Sequence, residues 1–248
     1  MWAHFCQALT FLTRFSFSHA FSDPSRCVPY FVPAGLLLGF VLAVACFLVN
    51  QLFTVIAHCA FLAGFVWLVL EVWLTRALHW DGLADLADAL GSGAQGERFL
   101  EILRDSRLGS FGAITLILVL LGHFLCLSLH SAAHQYGILI LAPAYARAVP
   151  VLLARNAVPN HGSLLGLAVL QALDRYPTLY AGTLLFVVTL PLLLLAFVSL
   201  WQFILLLGLT WCLVRYLHKR AHENGGISGD YFGVGIVLAQ LLFLFCTL

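Results

Sequence analysis

Residues 110–130 read SFGAITLILVLLGHFLCLSLH, with no Asp, Glu, Lys or Arg among them. Hydrocarbon offers no partner to a backbone N–H or C=O, so such a run is stable in a bilayer only as a helix that pairs its own groups. At about 1.5 Å per residue it covers the roughly 30 Å of a bilayer core. Working outward, comparable apolar runs fall at 33–55, 58–78, 136–154, 178–199, 200–217 and 231–248. The pattern predicts an all-α, polytopic integral membrane bundle of about seven transmembrane helices, forming one domain over 1–248. Hydrophobic residues make up 62% of the chain and charged residues 9%, against about 25% charged in soluble proteins. A soluble globular enzyme is thereby excluded, and the unbroken runs argue against the alternating strands of a barrel.

The net charge of +1 excludes a basic nucleic-acid-binding surface. Where the charges stand is more informative. Three long polar segments, 79–109, 155–177 and 218–230, alternate with very short connections near 56, 133 and 200. All twelve Lys and Arg lie in the long segments, in the N-terminal region, or in adjoining parts of the spans. The positive-inside rule then predicts a cytoplasmic N-terminus and cytoplasmic long segments. Residues 1–32, with Trp2, Phe5, Leu9, Leu12 and Phe15 near Arg14 and Arg26, read as a helix lying in the interface before the first span. No signal peptide is expected, because a basic start followed by an apolar stretch and a cleavage site is missing. The seven cysteines are scattered without a CxxC pair, so neither a disulfide frame nor a zinc site is expected.

Six of the eleven acidic residues fall between Asp81 and Asp105. In His79-Trp80-Asp81-Gly82-Leu83-Ala84-Asp85-Leu86-Ala87-Asp88-Ala89, the three aspartates stand at i, i+4 and i+7 and share one helix face. Like charges at this spacing destabilise a helix, so something positive must compensate. Mg²⁺ is well suited, since it takes oxygen ligands and is commonly held by one or two carboxylates together with substrate phosphates. Gly82 and the alanines keep the helix surface low, leaving room for a phosphate-bearing ligand. The bland alternative is a solvated acidic helix end.

Farther along, Glu97 and Glu101 with Arg98 and Arg104 at helical spacing read as a surface helix laced by ion pairs. Asp105-Ser106-Arg107 precedes Gly109, Ser110 and Gly112 at the start of a span, where backbone N–H groups could meet an anion and a guanidinium could fork onto phosphate oxygens. In Gly225-Gly226-Ile227-Ser228-Gly229-Asp230 the glycines permit positive φ and an anion-binding nest, although Asp230 is equally a candidate N-cap. Arg147 lies inside a span, where a carboxylate or a substrate phosphate must satisfy it. Glu71 raises the same question in another span.

Three segments together, His79–Ala89, Glu101–Gly112 and Gly225–Asp230, resemble the cobalamin synthase family, the adenosylcobinamide-GDP ribazoletransferases. Leu12-Thr13-Arg14-Phe15 and Tyr30–Gly39 resemble that family's opening, so the likeness covers nearly the whole chain. Ser228 stands where Thr is usual, and Ser16 where Pro is common.

The resemblance implies a Mg²⁺-dependent enzyme of the bacterial inner membrane. It would join adenosylcobinamide-GDP to α-ribazole or its 5′-phosphate with release of GMP, the last assembly step of cobalamin synthesis. A hydroxyl of α-ribazole would attack the phosphate attached to cobinamide. On this reading Asp81, Asp85, Asp88 and Asp105 are the candidate Mg²⁺ ligands, and Asp81 or Asp105 assists deprotonation. Arg107 and Arg147 clamp phosphate oxygens, and the loop with Gly225, Gly226, Ser228 and Asp230 closes over a nucleotide. A wide cavity is expected for the bulky corrinoid. The lipid bilayer is the other expected partner, and the sequence is compatible with an oligomer. Two alternatives remain at this point: a CDP-alcohol phosphotransferase, whose aspartate motif is matched only weakly here, and an ion-coupled transporter with buried carboxylates.

Overall fold

A computed structural model describes residues 1–17, 23–53, 59–160, 162–193 and 199–248. Among these residues the chain forms α1 (Trp2–Leu12), a 3₁₀ helix (Pro24–Tyr30), α2 (Phe31–Leu52), α3 (Cys59–Leu74), α4 (Leu78–Gly91), α5 (Gly96–Leu103), α6 (Ser110–Ala132), α7 (Tyr136–Ala146), α8 (Val149–Ala154), α9 (Leu164–Arg175), α10 (Leu179–Leu193), α11 (Leu200–Glu223) and α12 (Gly229–Cys246). The only extended pairing there is a parallel bridge between Pro159 and Ile227.

The molecule is a polytopic helical membrane protein. Among the described residues five helical stretches are long and apolar enough to cross a bilayer: Pro24–Leu52, Ser110–Ala132, Tyr136–Ala154, Leu200–Glu223 and Gly229–Cys246. The pair α3 and α4 would make a sixth if taken as one bent span, and Leu179–Leu192 is apolar but shorter. The expected connection near 56, and the expected span ends at 54–55, 58 and 194–198, lie outside the described residues. Exposed Leu36, Phe40, Phe47, Ile117, Leu118 and Leu121 cover the outer faces of α2 and α6. So much apolar surface is far more than a water-facing protein carries, and it fits acyl chains.

The expected span over 58–78 does not run through. Helix α3 stops at Leu74, and α4 leaves at 86° to it, because Arg76 and Ala77 both take the left-handed conformation with φ of 55°. A helix that ends inside a bundle leaves carbonyls without partners. Arg14 supplies two of the missing donors: its backbone N–H reaches Leu74 O at 2.7 Å and its Nε reaches Trp73 O at 2.8 Å. Its guanidinium also lies 3.8 Å from the centre of the Trp73 ring. The N-terminal region therefore does more than rest on a surface. Cys6, Ala8, Leu9 and Leu12 are buried, and α1 packs on α2 and the 3₁₀ helix.

Tyr136–Ala154 is the most enclosed of the five apolar stretches. Its small residues, Ala142, Ala144, Ala146, Ala148 and Ala154, are all buried and let neighbouring backbones come close, the usual means of packing helices where lipid removes the hydrophobic drive. The stretch is broken at Arg147 and Ala148, between α7 and α8. Helix α4 packs across α12 and α6, which sets the acidic segment against the beginnings of two apolar helices. The seven cysteines are all free.

Candidate active site

The site starts from a close approach. A Cβ on Gly82 would lie 2.9 Å from the Cα of Asp230, so only glycine at this position lets α12 begin directly against α4. Ser228 Oγ donates to Asp230 Oδ2 at 2.9 Å and fixes the carboxylate in the first turn of α12. Asp81 and Asp230 then line one cavity of about 200 Å³, together with His79, Phe11, Phe31 and Phe232. Burial, followed by the charges of Asp81, Asp230 and Asp88, pushes the Asp85 carboxyl up to about 6. Among the described residues no Lys, Arg or His forms a salt bridge with Asp81, Asp85, Asp88 or Asp230. The structure thus sets Asp81 and Asp230 at one cavity and leaves Asp81, Asp88 and Asp230 near enough for their charges to act on Asp85.

Asp88 has a further role. Its Oδ2 accepts the N–H of Gly109 at 2.7 Å and its Oδ1 accepts the N–H of Gly112 at 2.8 Å. The helix start expected to meet a substrate anion is therefore filled by a carboxylate of the chain itself, and this bond ties α4 to α6. Asp105 is not gathered into the cluster through any hydrogen bond. It pairs with Arg107, Nη2 to Oδ2 at 2.6 Å and Nε to Oδ1 at 3.0 Å, and these bonds hold the Asp105 carboxyl down at about 2. Arg107 has its side chain 88% exposed, so its fork is engaged by Asp105 at the surface. On α5, Arg98 pairs with Glu101 at 2.8 Å, as the helical spacing predicts.

The glycine loop points its amides inward. The N–H of Gly226 donates to Ala221 O at 2.8 Å and that of Ile227 to Val158 O at 2.8 Å, while Gly229 N–H reaches Ser163 Oγ at 3.2 Å. At Gly226 φ is +102°, and a Cβ would sit 2.7 Å from the backbone at Val158–Asn160. Gly225 has φ of +84°. In this arrangement the glycines serve a close backbone crossing rather than an open nest, and the loop's contribution to the cluster is Asp230.

Arg147 lies inside the bundle, 1% exposed. Its Nη1 donates to Pro143 O at 3.0 Å, while Nε and Nη2 have no hydrogen-bond partner. Glu71 is the opposite charge acting on it, and Glu71 in turn accepts from Gln240 Nε2 at 2.9 Å. Sequence spacing could not find this charge relation, because the two residues lie far apart in the chain. It also missed His79 and the aromatic residues of the cavity; the only signal was the position of His79 beside Asp81.

No three His, Cys, Asp or Glu side chains among the described residues converge as a ready-made metal cage. The donor set still fits Mg²⁺: uncompensated hard oxygens, one or two of which would complete an octahedron with water and substrate phosphate.

Fold and site together define a membrane-embedded helical protein whose carboxylates are gathered where several helices begin. The sequence matches the family model described as cobalamin-5-phosphate synthase over residues 4–248. A protein of Nitratidesulfovibrio vulgaris strain DP4 named adenosylcobinamide-GDP ribazoletransferase is 34% identical over 94% of this chain and 92% of its own length. One of the same name from Vibrio cholerae serotype O1 (strain ATCC 39541) is 33% identical over 96% and 90%, and one from Syntrophobacter fumaroxidans is 38% identical over 62% of each chain. No solved structure matches. The chain belongs to the cobalamin-5-phosphate synthase family. These matches give no support to a CDP-alcohol phosphotransferase or a transporter.

Proposed function

We propose that the protein is an adenosylcobinamide-GDP ribazoletransferase, and that the cluster of Asp81, Asp85, Asp88 and Asp230 is where the transfer takes place. Family membership over nearly the whole chain supports the reaction, and the observation that carries the site is the pair of carboxylates, Asp81 and Asp230, facing one cavity. A ribose hydroxyl of α-ribazole forms a new O–P bond to the phosphate attached to cobinamide, and the P–O bond to GMP breaks. The hydroxyl proton passes to a carboxylate, for which Asp81, more exposed than Asp85, is best placed.

In phosphoryl transfer the protein mainly aligns the groups and neutralises charge. Asp81 and Asp85 would hold Mg²⁺, with Asp230 beside them and Asp88 contributing through lone pairs its backbone bonds leave free. When bound, the ion would supply positive charge to the phosphate oxygens. The enzyme would work in the bacterial inner membrane, with the acidic segment on the cytoplasmic side, as the distribution of Arg and Lys supports.

The test is direct. Protein reconstituted in liposomes with adenosylcobinamide-GDP, α-ribazole and Mg²⁺ should release GMP in equal amount to the complete corrinoid formed. No GMP, under conditions where a known ribazoletransferase turns over, would overturn the reading.

A further inference from the structure

The cavity shared by Asp81 and Asp230 has walls unlike those an anionic nucleotide needs. It carries two carboxylates and no Lys or Arg, and the rest of its lining is mostly apolar. A guanosine diphosphate group could bring its phosphates to a cation on those carboxylates, but its base would then have to fill the apolar remainder of the cavity. Its base would also leave the acceptors O6 and N7 unpaired against hydrocarbon, a costly burial. The volume of about 200 Å³ falls below the roughly 300–1,000 Å³ of pockets for drug-sized ligands. It suits one ring system and is far too small for a corrinoid. Phe11 of α1 and Phe31 of α2 stack with rings parallel to within 5° and centroids 6.1 Å apart, so aromatic groups already pack in parallel at this wall. His79 adds a buried side chain, 7% exposed, whose Nε2 has no hydrogen-bond partner.

We propose that this cavity holds the uncharged heterocyclic base of the acceptor nucleoside, and that the N-terminal helix, through Phe11 and Leu12, supplies part of the wall that selects it. The proposal rests on the transferase reading above and deepens it. The base is seated among Phe11, Phe31 and Phe232, its ribose lies toward Asp81 and Asp230, and the donor, with its phosphates and its corrinoid, approaches from outside. The N-terminal segment thus becomes a specificity element of the enzyme as well as a packing element.

Two variants at partly buried lining positions test this. Leu165→Phe narrows the cavity and Phe11→Leu widens it. Leu165→Phe should raise the KM for α-ribazole about tenfold or more while the KM for adenosylcobinamide-GDP stays within about twofold. Phe11→Leu should shift preference toward acceptors with a larger base. Wild-type acceptor KM and acceptor preference in both variants, or a rise confined to the donor KM, would overturn the assignment. Equilibrium binding of α-ribazole alone, with GMP as competitor, separates this idea from the reaction. A wild-type protein that makes no GMP, yet binds α-ribazole in a way Leu165→Phe weakens, sinks the transferase reading and keeps the cavity. Displacement of α-ribazole by GMP with no such weakening would sink the cavity assignment.

Discussion

Asp81 and Asp88 stand two turns apart on one helix face, and their surroundings give them different work. Asp81 faces the cavity, whereas both oxygens of Asp88 accept backbone N–H groups at the start of α6. A carboxylate in that position stabilises a helix start as an N-cap does, by about 0.5–2 kcal/mol. Asp88→Asn should therefore lower thermal stability in detergent by about 1 kcal/mol and, since Asp88 contributes to Mg²⁺ only through the lone pairs left free, reduce turnover without abolishing it; a fully stable but inactive variant would make Asp88 a principal ligand of the ion rather than a helix cap.

Asp85, held at about 6 by burial and its acidic neighbours, gives a pH prediction. Its folded-state pKa lies above the unfolded value, so the native state favours the protonated form, and stability is lost as pH rises from about 4 through 6. The cation-free protein should melt at a higher temperature at pH 5 than at pH 7.5, and Mg²⁺ should stabilise it more at pH 7.5. A Mg²⁺ effect equal at both values would contradict this origin. The shared face of the three aspartates was legible from spacing alone. The engagement of Asp88 was not, because it depends on α6 starting beside α4, a long-range contact that no local pattern encodes. The same holds for Arg147 and Glu71, whose mutual attraction joins two helices.

At the level of elements, the apolar runs foretold most helices, but the acidic segment could not be placed without its hinge. No Pro or Gly marks the break between α3 and α4, and Arg76 and Ala77 adopt positive φ although neither residue type favours it. What holds them there is tertiary: the capping of α3 by Arg14 and the packing of α4 on α12. Ala77→Gly should relieve this strain and leave stability equal or higher by up to about 1 kcal/mol. Ala77→Val should lower both stability and turnover, since a β-branched residue resists this conformation. A destabilised glycine variant with a wild-type-like valine variant would show the hinge to be built otherwise. The glycine loop illustrates the opposite case. Its composition was visible and suggested a nest for an anion, while its structure uses Gly226 for a backbone crossing and sets Asp230 against Gly82.

Across the whole molecule, scarcity of charge is what makes the site stand out. An apolar bundle carries its acids and bases at few places, and where Glu71 and Arg147 enter the interior each lies within range of the other's charge. The carboxylates of α4 and α12 lack such a partner among the described residues, which is the physical reason to expect a cation and a phosphate there. Class and bilayer setting follow from composition, and the reaction from family membership; the division of the site between acceptor and donor needed the cavity. The most direct measurement is GMP release by wild type and Asp81→Asn, reconstituted side by side in liposomes with both substrates and Mg²⁺. GMP is expected from the wild type only when α-ribazole is present, and at least about a hundredfold less from a correctly inserted Asp81→Asn. Near-wild-type release from Asp81→Asn would contradict this expectation.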